Sequence, residues 1–167
     1  MSKTTNTILV TGGAGFIGSC LAEKLIEDSG NYVVVVDSLK TGSKTKLPES
    51  KHENLKFIQC DVNKTDQITS VFHTFSFDYV FHYAALVGVQ RTLNNPVSVL
   101  DDIDGIRNIL NLSKNTGVKR VMYASSSEVY GEPVEFPQNE ETTPLNSRLP
   151  YAIAVSYTHL RAHETEA

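Results

Sequence analysis

Cysteine is scarce in this chain of 167 residues: Cys20 and Cys60 are the whole complement, and they form no C-x-x-C pair. Both are expected to be reduced core thiols, Cys20 on a helix and Cys60 in a strand. Positive charge is in short supply too. The net charge is −4, so there is no electrostatic footprint for nucleic acid. Lys40, Lys44, Lys46 and Lys51 make a loosely basic stretch, but Glu49 interrupts it and no aromatics interleave, so it reads as a solvated loop. Long apolar runs are missing, which leaves nothing to span a membrane. The N-terminus (Ser2-Lys3-Thr4-Thr5-Asn6) is polar and the apolar run after it is too short for a signal sequence, so a cytoplasmic protein is expected. No internal repeat, low-complexity segment or Pro/Gly/Ser linker divides the chain. Its length suits one domain able to bury a sizeable core.

What is present begins at residue 7. Thr7-Ile8-Leu9-Val10 is a short β-branched run, and Thr11-Gly12-Gly13-Ala14-Gly15-Phe16-Ile17-Gly18 follows at once. Beyond it, apolar residues at 17, 21, 25 and 26 give a helical pattern. Strand, glycine turn and helix in this order form a dinucleotide phosphate cradle. Gly12 allows a sharp turn, Gly15 removes a side chain that would hold a pyrophosphate off the backbone, and Gly18 allows close packing of the helix. The free N–H groups of the first helical turn, including those of Phe16 and Ile17, then face the phosphates. The next run, Tyr32-Val33-Val34-Val35-Val36, is continuous and apolar, as a strand covered on both faces requires. It ends in Asp37, nineteen residues after Gly18, where an acidic side chain would hold the adenosine ribose hydroxyls. Asp37 would repel a 2′-phosphate, which favours NAD over NADP, and Lys40 is close enough in sequence to soften that preference.

Strand-like runs recur at 7–11, 32–37, 56–61, 78–83 and 120–124, with helical patterns at 16–28, 64–75 and 96–115. The alternation predicts an α/β fold with a doubly wound parallel sheet. Ligands of such sheets bind beyond the carboxyl ends of the strands. Asp37, Asp61 and Ser125-Ser126-Ser127 all end strands and would point to one crevice, with Asp61 able to bond an adenine amino group or merely to cap its loop.

The ordered motifs TGGAGFIG, Asp37, Asp61-Val62, His82-Tyr83-Ala84-Ala85, SSSEVYG (125–131) and PYAIA (150–154) resemble the extended short-chain dehydrogenase/reductase superfamily, in its nucleotide-sugar epimerase/dehydratase branch. The resemblance implies a Rossmann fold, NAD as cofactor, a nucleotide-sugar substrate and a homodimeric parent protein. It implies that Gly12, Gly15, Phe16, Ile17, Gly18, Asp37, Asp61 and Val62 bind the cofactor, with Tyr83, Ala84 and Ala85 lining its nicotinamide side. Ser126 matches the catalytic Ser/Thr that hydrogen-bonds the sugar 4-hydroxyl. Tyr151 matches the tyrosine of the Y-x-x-x-K motif, which takes the hydroxyl proton while C4 gives up hydride. Glu128 follows Ser127, where 4,6-dehydratases carry an Asp-Glu pair. The missing Asp argues against dehydration, and a Ser-Glu pair looks like UDP-glucuronate decarboxylases. The leading reading is the N-terminal part of a nucleotide-sugar 4-epimerase. A decarboxylase or dehydratase of the same family is the alternative, and a non-catalytic NAD-binding module is the rival of another class.

Two departures from the family pattern stand out. Asp102-Ile103-Asp104-Gly105 replaces Asn-Val-x-Gly, and an ionised Asp cannot donate as Asn can. Val155 stands where the motif lysine is due. Residues 155–167 resemble a translated sequencing-library adapter. Residues 1–154 are therefore expected to be a truncated NAD-binding domain lacking its later strands and its C-terminal substrate domain, with 155–167 a non-native tail. A tyrosine without that lysine keeps a pKa of about 10 and is only ~0.1% ionised at pH 7. The chain itself is expected to be inactive and to bind no metal.

Overall fold

Alternation within two apolar strands decides the layering. In a computed structural model, which describes residues 6–48, 52–88, 90, 94, 96–132, 134–147, 152, 155 and 156, β1 (Asn6–Thr11) and β2 (Asn31–Asp37) pair in parallel, Ile8 opposite Val33 and Thr11 opposite Val36. Successive side chains leave opposite faces of a strand. Ile8, Val10, Val33 and Val35 therefore go one way, to Ala22 and Ile26 of α1 (Phe16–Ile26). Leu9, Val34 and Val36 go the other way, to Ile68, Val71 and Phe72 of α2 (Thr65–Thr74) and Ile109 of a later helix. Each such side chain fully withdrawn from water contributes about 1.5–3 kcal/mol. Helices on both faces of a parallel sheet make this the doubly wound fold that the pattern predicts.

The sheet is completed by β3 (Leu55–Gln59), β4 (Tyr79–His82) and β5 (Arg120–Tyr123), in the order β3-β2-β1-β4-β5, with every pair parallel. β1 is central, and the chain leaves it toward β2 and returns on its other side at β4. Asp78 ties three strands at their amino ends: its Oδ2 accepts from Thr7 N–H at 2.8 Å and its Oδ1 meets Lys119 Nζ at 2.8 Å. The Lys119 ammonium and that N–H hold the Asp78 carboxyl below its usual range.

Two helical expectations are revised. The 96–115 pattern is two helices, α3 (Pro96–Leu100) and α4 (Asp102–Thr116), separated at Asp101. Along α1 the buried residues are Gly18, Ser19, Ala22 and Ile26, while Ile17 is exposed. Cys60 is buried as expected, one residue past β3, but Cys20 lies on the exposed side of α1. Burial, then the charges of Asp61 and Asp66, push the Cys60 thiol up to about 11. It stays protonated and unreactive.

The chain divides into two compact units. One comprises residues 1–85 with 104–124 and carries the sheet; the other comprises 86–103 with 125–167. In the second, Asp102 Oδ2 accepts from Leu86 N–H at 2.6 Å. Asp102 thus ties neighbouring backbone by accepting, a role open to a carboxylate. Among the described residues, no helix is long and apolar enough to cross a membrane.

Candidate functional site

In the sheet-bearing unit, the carboxyl ends of β1, β2 and β4 bring the cradle together. Gly12 follows β1 with φ +67°, a conformation that a Cβ makes costly. A Cβ there would also lie 2.7 Å from Ala84 N, so the turn rests against the backbone that leaves β4. A Cβ on Gly18 would lie 2.5 Å from Gly12 O, so the nearest atoms needing its room belong to the turn itself. Gly15 differs from both. Its φ of −80° is open to any residue, and among the described residues a Cβ would meet one atom, Gly12 O at 3.0 Å. Apart from its chain neighbours, no other atom of the described residues lies within 4 Å of that Cβ.

Helical geometry leaves the amides of Phe16, Ile17 and Gly18 without intrahelical acceptors. No side chain caps this end of α1, and its first turn holds no acidic residue. The side chains of Phe16 (79% exposed) and Ile17 (61% exposed) stand out from the turn. An uncapped first turn beside open space suits an anion, and these residues fit the diphosphate of a dinucleotide.

Asp37 closes the other side. Its buried carboxylate accepts from Ala14 N–H at 2.9 Å (Oδ2) and from Leu39 N–H at 2.7 Å (Oδ1). The expected ribose acid and the phosphate turn, 23 residues apart, are thus directly bonded. Each oxygen keeps a lone pair for a further donor. Asp61, two residues past β3, meets Lys40 Nζ at 2.8 Å through Oδ2 and accepts from Asn63 N–H at 3.1 Å through Oδ1. Partial burial raises its pKa, but the Lys40 ammonium and the Asn63 N–H outweigh that and hold the carboxyl below the usual range. Lys40, expected to soften the cofactor preference, is spent on Asp61. Val62 is buried in the core, and its carbonyl accepts from Asn108 Nδ2 at 2.9 Å.

After β4, Tyr83 N–H donates to Thr11 O and Ala84 N–H to Thr11 Oγ1, both at 3.2 Å. Tyr83, Ala84 and Ala85 are half-buried. Thr11 Oγ1 also lies 2.7 Å from Nδ1 of buried His82, its register partner on β4. Burial pushes the imidazole down to about 4, so it is neutral at pH 7. Ala84 N–H donates to the Thr11 oxygen; a Thr11 hydroxyl that donates in turn to Nδ1 corresponds to the tautomer with the imidazole proton on Nε2. This pair joins the phosphate turn to the Tyr83–Ala85 stretch, and reading the sequence for motifs missed it. The available signal was a hydroxyl and an imidazole, each ending an otherwise apolar strand.

The second unit carries the catalytic candidates. Ser126 is half-buried and caps a 3₁₀ turn, Ser127–Tyr130, its Oγ accepting from Glu128 N–H at 3.3 Å. Glu128 is exposed. Val129 anchors the turn: it is buried, and its carbonyl accepts from Asn146 N–H at 3.1 Å. Tyr151 lies outside the described residues. Ala152, next to Tyr151 in sequence, and Val155, at the position where the motif lysine is due, are both buried.

Residues 8–166 match the model of the NAD dependent epimerase/dehydratase family. The chain is 37% identical over 166 residues to a UDP-glucuronate 4-epimerase of Thermodesulfobacterium geofontis, covering 90% of this chain and 50% of that protein. It is 39% identical over 141 residues to UDP-glucuronic acid decarboxylase 1 of Danio rerio, covering 83% of this chain and 32% of that protein. The fold resembles the UDP-glucose 4-epimerase of Thermus thermophilus solved in complex with NAD, with a TM-score of 0.83, 31% identity, and coverage of 96% of this chain and 51% of that one. The chain thus spans between a third and a half of the length of these relatives.

Proposed function

The chain belongs to the NAD-dependent epimerase/dehydratase family, and on that footing we propose that it is the NAD-binding part of a nucleotide-sugar 4-epimerase. The observation that supports the cofactor assignment is the Ala14–Asp37 hydrogen bond of 2.9 Å, which joins the acid at the end of β2 to the glycine turn after β1. The amides of Phe16, Ile17 and Gly18 would hold the diphosphate, and Asp37 would accept from the ribose hydroxyls while its charge turns away a 2′-phosphate. Asp61 would take the adenine amino group. Val62 would line the adenine through its backbone, since its side chain belongs to the core. Tyr83, Ala84 and Ala85 would line the nicotinamide, steadied by Thr11 and His82. When bound, NAD supplies a hydride acceptor that can also return the hydride.

On the substrate side, Ser126 Oγ would hydrogen-bond the sugar 4-hydroxyl and the Tyr151 oxygen would receive its proton. Both assignments rest on the motif match, and for Ser126 the residue's partial exposure supports it. With Val155 at the lysine position, Tyr151 has no ammonium four residues on to favour its ionised form, so the polypeptide as it stands is inactive. The parent protein would be a cytoplasmic homodimer acting on a UDP-sugar. A second reading, UDP-glucuronate decarboxylation, is favoured by the exposed Glu128 beside Ser127 and by the decarboxylase among the relatives.

The test is to resequence the source gene across codon 155 and express its full product. A lysine codon, and interconversion of the 4-epimers of a UDP-sugar with NAD bound, are expected. Release of CO₂ from UDP-glucuronate without epimerisation would overturn the epimerase reading in favour of the decarboxylase. NAD binding with turnover of no sugar nucleotide would make the protein a binding module. Robust turnover by the 167-residue chain itself would refute its inactivity.

A further inference from the structure

General rules for dinucleotide folds assign opposite choices to the residues that follow the second strand. An acid there takes the ribose 2′-hydroxyl, and a nearby cation accommodates a 2′-phosphate. This chain carries both, Asp37 and, three residues on, Lys40. Leu39 between them is left-handed, φ +62°, with its N–H held by Asp37 Oδ1 at 2.7 Å. Lys40 beyond this bend reaches Asp61, where Nζ and Oδ2 are 2.8 Å apart. Asp61 is the fixed partner: its side chain is 16% exposed and its other oxygen holds Asn63 N–H. The Lys40 side chain is 65% exposed and has the length to go elsewhere.

We propose that Asp61 sets cofactor choice through Lys40, by holding that ammonium away from the ribose 2′ position so that Asp37 alone confronts it. The proposal rests on the NAD-binding reading above and adds a specificity-determining pair to it. With the pair formed, the local charge is that of Asp37, which repels a dianionic phosphate. Without the Asp61 carboxylate, Lys40 loses this hold and, three residues from Asp37, can serve as the charge-assisted donor that a 2′-phosphate needs.

The experiment measures Kd for NAD and for NADP by calorimetry on the wild-type chain, Asp61→Asn, Lys40→Met and the double variant, with the ratio of the two constants as the readout. Asn at 61 keeps an acceptor for Asn63 N–H but no charge for Lys40. Asp61→Asn is expected to move the ratio toward NADP by about tenfold or more, and the double variant is expected to lose that gain. Lys40→Met changes an exposed side chain, so it reports even if Asp61→Asn fails to fold. It leaves the Asp61 charge bare and is expected to move the ratio further toward NAD. A ratio unchanged in Asp61→Asn, a gain that survives in the double variant, or a shift toward NADP in Lys40→Met would overturn the proposal while leaving NAD binding intact. Folded wild-type chain that binds no NAD would overturn the cofactor reading itself.

Discussion

The two units of the chain bury their apolar surface to very different degrees. Among the described residues of the sheet-bearing unit, the large apolar side chains left exposed are Phe16 and Ile17, both in the uncapped first turn of α1. The other unit exposes Val87, Val97, Leu100, Val134, Phe136 and Leu145, with Phe136 at 83%. In the first, strand alternation sends every second valine to a packed helix, and the proposed ligand site is made largely of backbone: a left-handed glycine, the amides of the first turn of α1 and one acid. In the second, order comes from local polar turns. Ser126 caps a single 3₁₀ turn, Glu135 accepts from the Thr142 and Thr143 hydroxyls, and Asn139 N–H reaches Thr143 Oγ1 at 2.8 Å. A site built from backbone is broken by changing shape, and one built from single side chains by changing chemistry. Substitutions in the two units should therefore fail in different ways.

The largest effect is expected at Gly12. Valine there must adopt φ +67° and push its Cβ to within 2.7 Å of Ala84 N. Left-handed strain and overpacking together cost about 3 kcal/mol or more. Thermal denaturation of Gly12→Val should show a large fall in Tm, and NAD binding should vanish with it. A variant as stable as wild type would break the claim that the turn rests on the Tyr83–Ala84 backbone.

The next effect is a pH dependence confined to the sheet-bearing unit. His82 is held neutral by burial, with its folded-state pKa lowered from 6.5 to about 4. The unfolded chain binds a proton below 6.5 that the folded chain refuses, so the full stability is present above that value and falls with the pH. The loss approaches about 3 kcal/mol as the folded-state value is reached. His82→Asn keeps an acceptor near the Nδ1 position for Thr11 but does not titrate. Denaturant midpoints between pH 7.5 and 4.5 should fall more steeply for the wild type than for this variant. Parallel slopes would show that His82 is solvated or charged in the native state.

Ser126→Ala should move stability least. Losing a cap on one short turn costs about 1 kcal/mol or less, and NAD affinity should hold. In the full-length epimerase proposed above, the same change should remove most of kcat. A large loss of NAD affinity would contradict the division of labour between the two units.

Much of this was legible in the residues, and the reasons differ by element. The five strands appear within two residues of their predicted ends, most clearly β1 and β2, where burial on both faces demands continuous apolar runs, as Val33 to Val36 show. The 96–115 pattern concealed a break because a one-residue interruption at Asp101 leaves the apolar period nearly intact. Ile17 belongs to the apolar pattern of α1 by spacing, yet its side chain is 61% exposed while Gly18 and Ser19 beside it are buried. Cys20 fails for a related reason: small and apolar, it stands one position past buried Ser19, on the exposed side. Among the site residues, Gly12 and Asp37 announced themselves by motif and position. The Lys40–Asp61 and Thr11–His82 pairs did not, because they join residues 21 and 71 apart through sheet topology that no local window contains.

Gly15 offers the cleanest separation of binding from folding, since its φ of −80° suits any residue and a Cβ there needs only Gly12 O, at 3.0 Å, to give by a few tenths of an ångström. Calorimetric titration of NAD into wild type and Gly15→Ala, with thermal melts alongside, should show a heat of association in wild type. The variant should bind at least about tenfold more weakly, with a Tm within about 5 °C of wild type. Equal NAD affinity in the two proteins, or folded wild-type chain that releases no heat with NAD, would show that the amides of α1 do not hold a diphosphate.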